Sequence, residues 1–289
     1  MIWLVCLAMS AAATAAGPAT FSKRIAVAPT DRIQVSNVAG SVTVTAWDKP
    51  EVDVQADLGA GVERVDVIQR QGMVSISVIL SSRWRDTDAR LRVSVPAASA
   101  LEISTVSAGI AVEGGRGRIR LKSVSGGIRA SVQSENLEAG SVSGGIDLRG
   151  SGKPDARLRA TSVSGGVRLS NAGGDVEVRT TSGSVSLEGD VAGAQLQTVS
   201  GSIRFRGGLP RNSEFQAESV SGSVMVNATA ETGFRYEVST FSGSISNCFG
   251  AEVRRNGGGS GRNMDGARGE ASATVRVKSF SGSVQLCDR

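Results

Sequence analysis

From residue 99 onward, short runs of alternating apolar and polar residues are punctuated by one recurring Ser-Gly phrase: "SVSGGI" at 123–128 and 141–146, then "SVSGGV", "TTSGSV", "TVSGSI", "SVSGSV", "TFSGSI" and "SFSGSV". Taking the residue before the Ser-Gly pair as position zero, the copies fall at Val106, Val124, Val142, Val163, Thr181, Val199, Val220, Phe241 and Phe280, at intervals of 18, 18, 21, 18, 18, 21, 21 and 39 residues. A regular interval of this length marks a solenoid, in which each repeat is one coil that buries its apolar face only against its neighbours.

The columns around position zero define the coil. Position +4 is always Ile or Val, position +6 is apolar except at Asn247, and positions −5 and −3 are apolar in every copy, as in Ile119 with Leu121 or Phe215 with Ala217. Alternate residues of a strand share a face. Positions −5 and −3 therefore form one inward-facing strand, and 0, +2, +4 and +6 are expected to form another, with a bend between them. The pairs Ser125 and Gly126, Ser143 and Gly144, Ser164 and Gly165, Ser182 and Gly183, Ser200 and Gly201, Ser221 and Gly222, Ser242 and Gly243, and Ser281 and Gly282 mark the corners. Hydroxyl side chains at −1 and +1 suit a tight corner because they satisfy local backbone groups, and Gly at +2 admits a close neighbouring chain.

A degenerate copy runs from Ile33 through Val38 and Gly40 to Val44, and "EVDVQADL", "RVDVIQRQGMVSISVIL" and "ARLRVSV" alternate well, with a hairpin turn at "RQG". These segments are expected to supply antiparallel strands over the first coil. The resulting division is a signal peptide at 1–16, a linker at 17–29, an N-terminal β segment at 30–98, and a regular solenoid at 99–289 that carries a Gly/Arg-rich excursion at 249–274.

Two outward columns test the register. Position −4 runs Glu102, Arg120, Glu138, Arg159, Glu177, Gln195, Gln216, Glu237, Arg276, and position +5 includes Arg129, Asp147 and Arg168. In stacked parallel strands like charges would face each other at about 4.8 Å, whereas alternating signs attract.

Cys248 and Cys287 both occupy position +7. If the 39-residue interval is one coil with a long excursion, their Cα atoms stack at strand spacing, within the range a disulfide accepts; were it two coils, the bond would fail. The segment "RRNGGGSGRNMDGARGE" lacks the apolar columns and reads as a loop. Its arginines Arg254, Arg255, Arg262 and Arg268 are candidates for contact with an anionic surface. The chain given stops just after its last repeat, so that repeat is expected to present an open strand edge suited to a homodimer or a docked partner.

Composition narrows the chemistry. The 289 residues include 37 Gly, no His, three Cys and a formal net charge of +5. The apolar start "MIWLVCLAMSAAATAAG" ends in small residues and reads as an export signal cut before Gly17, which removes Cys6 and places the chain in the periplasm or at the cell surface. An exported, mildly basic chain with interspersed charges does not point to nucleic acid. Without His, a Ser-His nucleophile and a His-bearing zinc site are excluded. The recurring serine is architecture, since an enzyme activates one serine rather than nine. "GGGSGR" lacks the Lys-Ser/Thr ending of a phosphate loop, and no Asp column exists for calcium. No cofactor, metal or catalytic residue is therefore expected.

The phrases "VSNVAGSVTVTAWDKPEVDVQA", "VSVPAASALEISTVSAGIAVEG" and "TVSGSI" resemble the bacterial putative-adhesin, or toastrack, β-strand-repeat family, over residues 30 to 289. The resemblance implies an exported β-solenoid, in some members linked to envelope stress, in a family largely of unknown function. The expected fold is an all-β parallel solenoid of roughly ten coils. Its expected role is a non-catalytic structural, adhesive or binding module whose partner is an envelope component, another protein or an anionic polymer. The alternative is a β-helix enzyme acting on envelope or extracellular glycans.

Overall fold

The computed structural model describes residues 19–81, 87–230, 233–255 and 261–288. The expected signal segment 1–16 and the glycine-rich residues 256–260 lie outside them. The described residues form strands joined by turns, without a helix, and the sheet they make is mostly parallel.

Each repeat contributes two strands, and the equivalents from successive repeats stack in two ladders. In one, Arg32–Asn37, Ala100–Thr105, Ile119–Ser123, Asn136–Ser141 and Arg157–Ser162 pair in turn. The later halves of Val167–Thr180 and Val185–Ser200 follow, and then Glu214–Ser221. In the other, Ala39–Trp47, Gly109–Glu113, Ile128–Ser131 and Ile146–Arg149 lead through the first halves of the same two long strands to Ile203–Gly208 and Val224–Thr229. Equivalent columns face each other without slippage, as in Leu121 with Ala139 and Ile128 with Ile146.

Columns −5, −3, +4 and +6 point inward. Ile119, Leu121, Ile128, Ile146, Leu148, Phe205 and Phe215 are all buried in one continuous core, each such side chain contributing about 1.5–3 kcal/mol. Position zero does not join them. Val106, Val124, Val142, Val163, Val199, Val220, Phe241 and Phe280 are exposed. The corner takes two outward residues in succession, zero and +1, so the parity changes one residue earlier than strict alternation implies. The residue at −1 is buried instead, as at Thr105, Ser123, Ser162 and Thr180.

Both ends of the stack depart from chain order. Met73–Leu80 and Asp88–Pro96 lie parallel on the outer side of Arg32–Asn37 and Ala39–Trp47. Val62–Arg70 then pairs antiparallel with Met73–Leu80 through the turn at Gly72, and Glu51–Leu58 pairs antiparallel with Asp88–Pro96. The first coil is thus covered by a parallel layer before the expected antiparallel strands. Within 17–29, expected as a linker, Ala19–Ala26 is a strand on the free edge of Glu51–Leu58; its apolar positions Phe21 and Ile25 pack against the core.

At the other end, Glu214–Ser221 pairs with the last repeat, Ala273–Ser279, which in turn pairs on its far side with Phe234–Thr240. The companion ladder repeats the insertion: Val284–Asp288 lies between Val224–Thr229 and Ile245–Asn247. The expected open edge on the last repeat is therefore absent, because both of its strands are paired on both sides. The excursion is not simply a loop. Arg262–Ala267 runs antiparallel along Phe234–Thr240 and carries Arg254–Arg255 on its outer side, capping the stack.

Candidate functional site

The corners are built as the phrase implies, with the work divided among its positions. The buried hydroxyl at −1 closes the bend: Ser162 Oγ accepts from the Gly165 N–H at 2.9 Å, Thr180 Oγ1 accepts from the Gly183 N–H at 3.0 Å, and the Thr105 hydroxyl donates to the Ala108 carbonyl at 2.9 Å. The exposed Ser at +1 continues the ladder through its backbone, Ser125 N–H donating to Val106 O at 2.7 Å and Ser143 N–H to Val124 O at 2.8 Å. At +2 the Val106 copy carries Ala108, but in the other eight copies only Gly fits, since a Cβ on Gly126, Gly144, Gly165, Gly183, Gly201, Gly222, Gly243 or Gly282 would come within 3.0 Å of backbone on the neighbouring rung. Ser164, Ser182, Ser200, Ser221, Ser242 and Ser281 lie at the surface like Ser125 and Ser143.

Cys248 and Cys287 form a disulfide across adjacent rungs, their Cα atoms 4.9 Å apart. It ties the inserted last repeat to the rung outside it. Three of the four excursion arginines have internal partners. Arg254 pairs with Asp265 at 3.9 Å, Arg262 donates to the Gly243 carbonyl, and Arg268 pairs with Asp288 at 2.6 Å while lying over the Phe249 ring. They hold the cap on the stack. Arg255 is exposed and has no ion-pair partner among the described residues.

The −4 column forms the expected charge ladder. Arg120 meets Glu138 at 3.0 Å and Arg159 meets Glu177 at 2.5 Å. The insertion of the last repeat extends it, placing Arg276 between Gln216 and Glu237.

Stacking produces two linear surfaces that repeat with the rungs. One is the ridge at position zero, from Val106 through Val124, Val142, Val163, Thr181, Val199 and Val220 to Phe280 and Phe241, whose apolar members are 45% to 56% exposed. Sequence reasoning placed this column in the core, and only the double outward step at the corner reveals it. The other is a groove of about 830 Å³ along the second ladder. Its floor is column +3, Gly109, Gly127, Gly145 and Gly166 followed by Ser184 and Ser202, and its side is column +5, which includes Arg129, Asp147, Arg168, Ser186 and Arg204. The signal for it was present in the phrase, as "SGG" in some copies and "SGS" in others.

The family model described as Toastrack DUF4097 matches residues 26–175 and 170–287, and the chain belongs to that family. No curated protein is a significant match. Among solved structures, one described as a putative lipid binding protein from Parabacteroides distasonis shares the fold, at 13% identity over 92% of this chain and 96% of that one, with a TM-score of 0.51. A putative adhesin from Bacteroides fragilis is similar at 12% identity over 93% of this chain and 97% of its own, with a TM-score of 0.34. A putative adhesin from Parabacteroides merdae is similar at 7% identity over 93% and 96%, with a TM-score of 0.37.

Proposed function

We propose that this toastrack chain is an exported, non-catalytic β-solenoid of roughly ten coils that serves as an adhesive or binding module of the bacterial cell envelope. The observation that carries the reading is the continuity of its outer surfaces. A stack of equivalent rungs presents the same side chain at every step, which suits contact with extended or repetitive partners rather than with one small molecule. The ridge of eight exposed Val and Phe residues is a contiguous apolar surface of the kind that marks interaction sites. The Cys248–Cys287 disulfide supports an oxidising compartment, periplasm or cell surface.

The test is retention of the purified protein on isolated envelope fractions. The wild-type chain is expected to be retained, and Val124→Asp with Val142→Asp and Val163→Asp to reduce retention without unfolding the stack, because these side chains already face water. Absence of retention contradicts the reading, and turnover of envelope glycans by the purified protein replaces it with the enzymatic alternative.

A further inference from the structure

The +5 column of the groove departs from the charge ladder on the opposite face. In register, its central run reads Arg129, Asp147, Arg168, Ser186, Arg204. A ladder that served only to neutralise itself would place an acid at 186, as the −4 column does with Glu177 beside Arg159. Here the position holds Ser. Arg129, Arg168 and Arg204 are exposed and form no ion pair within 4.0 Å among the described residues. They occupy every second rung, about 9.6 Å apart at the spacing of parallel strands, with one carboxylate against three guanidinium groups.

The groove beside them is open for a reason the fold does not require. A Cβ on Gly127, Gly145 or Gly166 would meet its nearest backbone oxygen at 3.8, 3.7 and 3.6 Å, which is ordinary contact. Further along the same column Ser184 and Ser202 occupy the position with the same backbone bonds, Val167 N–H to Ser184 O and Val185 N–H to Ser202 O. These glycines contrast with those at +2, where a Cβ cannot be accommodated.

We propose that this groove binds an acidic polysaccharide in extended form, with one carboxylate on every second sugar. The inference rests on the reading of the chain as a binding module and names its ligand class. An extended β-linked sugar advances roughly 5 Å, close to one strand spacing, so a carboxylate on alternate sugars recurs at roughly 10 Å, near the spacing of about 9.6 Å between Arg129, Arg168 and Arg204. An extended peptide repeats one face at about 6.7 Å and falls out of step, and it finds no strand edge here because the ladder's backbone groups are already paired. Arginine is suited to the carboxylates through paired N–H donors, and the Ser184, Ser186 and Ser202 hydroxyls face the sugar hydroxyls.

The test is calorimetric titration of the purified protein with a hyaluronan octasaccharide, in which acidic and neutral sugars alternate. Salt-sensitive binding is expected, with Arg168→Gln weakening it about tenfold, the loss of one charge-assisted contact. Gly145→Thr is expected to weaken binding at least as much by filling the floor, while its melting temperature stays at the wild-type value. No binding, equal binding by Gly145→Thr, or equal binding of polyglutamate overturns the proposal. If envelope retention persists undiminished in Gly145→Thr, the module reading stands and the groove assignment falls.

Discussion

Phe241 and Phe280 stack face to face at the surface, ring centroids 4.9 Å apart and planes 7° from parallel, with the later residue on the inner rung. Phe280 N–H donates to Ser219 O, and Phe241 N–H donates to Ser279 O. The last repeat thus enters the stack between two repeats that precede it in the chain. Because every repeat presents the same edge, Glu214–Ser221 accepts either one as its neighbour. The excursion marks which of the two stands outermost: Arg262–Ala267 lies antiparallel on the outer side of Phe234–Thr240, while Ala273–Ser279 lies on its inner side.

The Cys248–Cys287 bond fastens that insertion. Replacing both with Ser is expected to cost about 2–4 kcal/mol. Hydrogen exchange should show the loss of protection concentrated in 273–288 and the cap, with the rungs from Ala100 to Thr180 unaffected. Uniform loss across the chain would contradict the assigned role.

Adjacent glycines in one phrase are expected to respond in opposite ways. Gly144→Ala forces a methyl into the Gly126 backbone and should destabilise by about 1–3 kcal/mol or more. Gly145→Ala meets nothing closer than 3.7 Å and should lie within about 0.5 kcal/mol of wild type. Chemical denaturation of the two variants checks the pair.

On the opposite face, Arg159→Glu places three acids in succession, between Glu138 and Glu177. The expected loss is about 1 kcal/mol, since the site is exposed, and it should shrink at high salt. Insensitivity of the difference to ionic strength would show that packing rather than charge is responsible.

Much of this architecture was legible in the sequence. The buried columns at Leu121, Ile128 and Ile146, the glycine corners and the alternating charges at Arg120, Glu138 and Arg159 follow from spacing and strand geometry alone. The facing of Val124 did not, because a corner that turns two residues outward breaks the alternation on which the reading depends. The position of the last repeat was hidden for a different reason: the shared Phe at 241 and 280 and the shared Cys at 248 and 287 mark these two copies as neighbours, but interchangeable repeats carry no mark of which of the two lies against Glu214–Ser221. The strand Ala19–Ala26 escaped notice because its alternation is short, and its pairing depends on an edge supplied by Glu51–Leu58.

Cysteine cross-linking on the exposed ridge tests the stacking order most directly. With the native disulfide intact, Val220→Cys with Phe280→Cys joins neighbouring rungs, at a Cα separation of about 4.8 Å that accepts a bond, whereas Val220→Cys with Phe241→Cys spans two rungs, at about 9.6 Å. Mass spectrometry after mild oxidation is predicted to find the first pair linked and the second unlinked. A linked 220–241 pair with 220–280 unlinked would show that the repeats stack in chain order and would contradict the inserted last repeat.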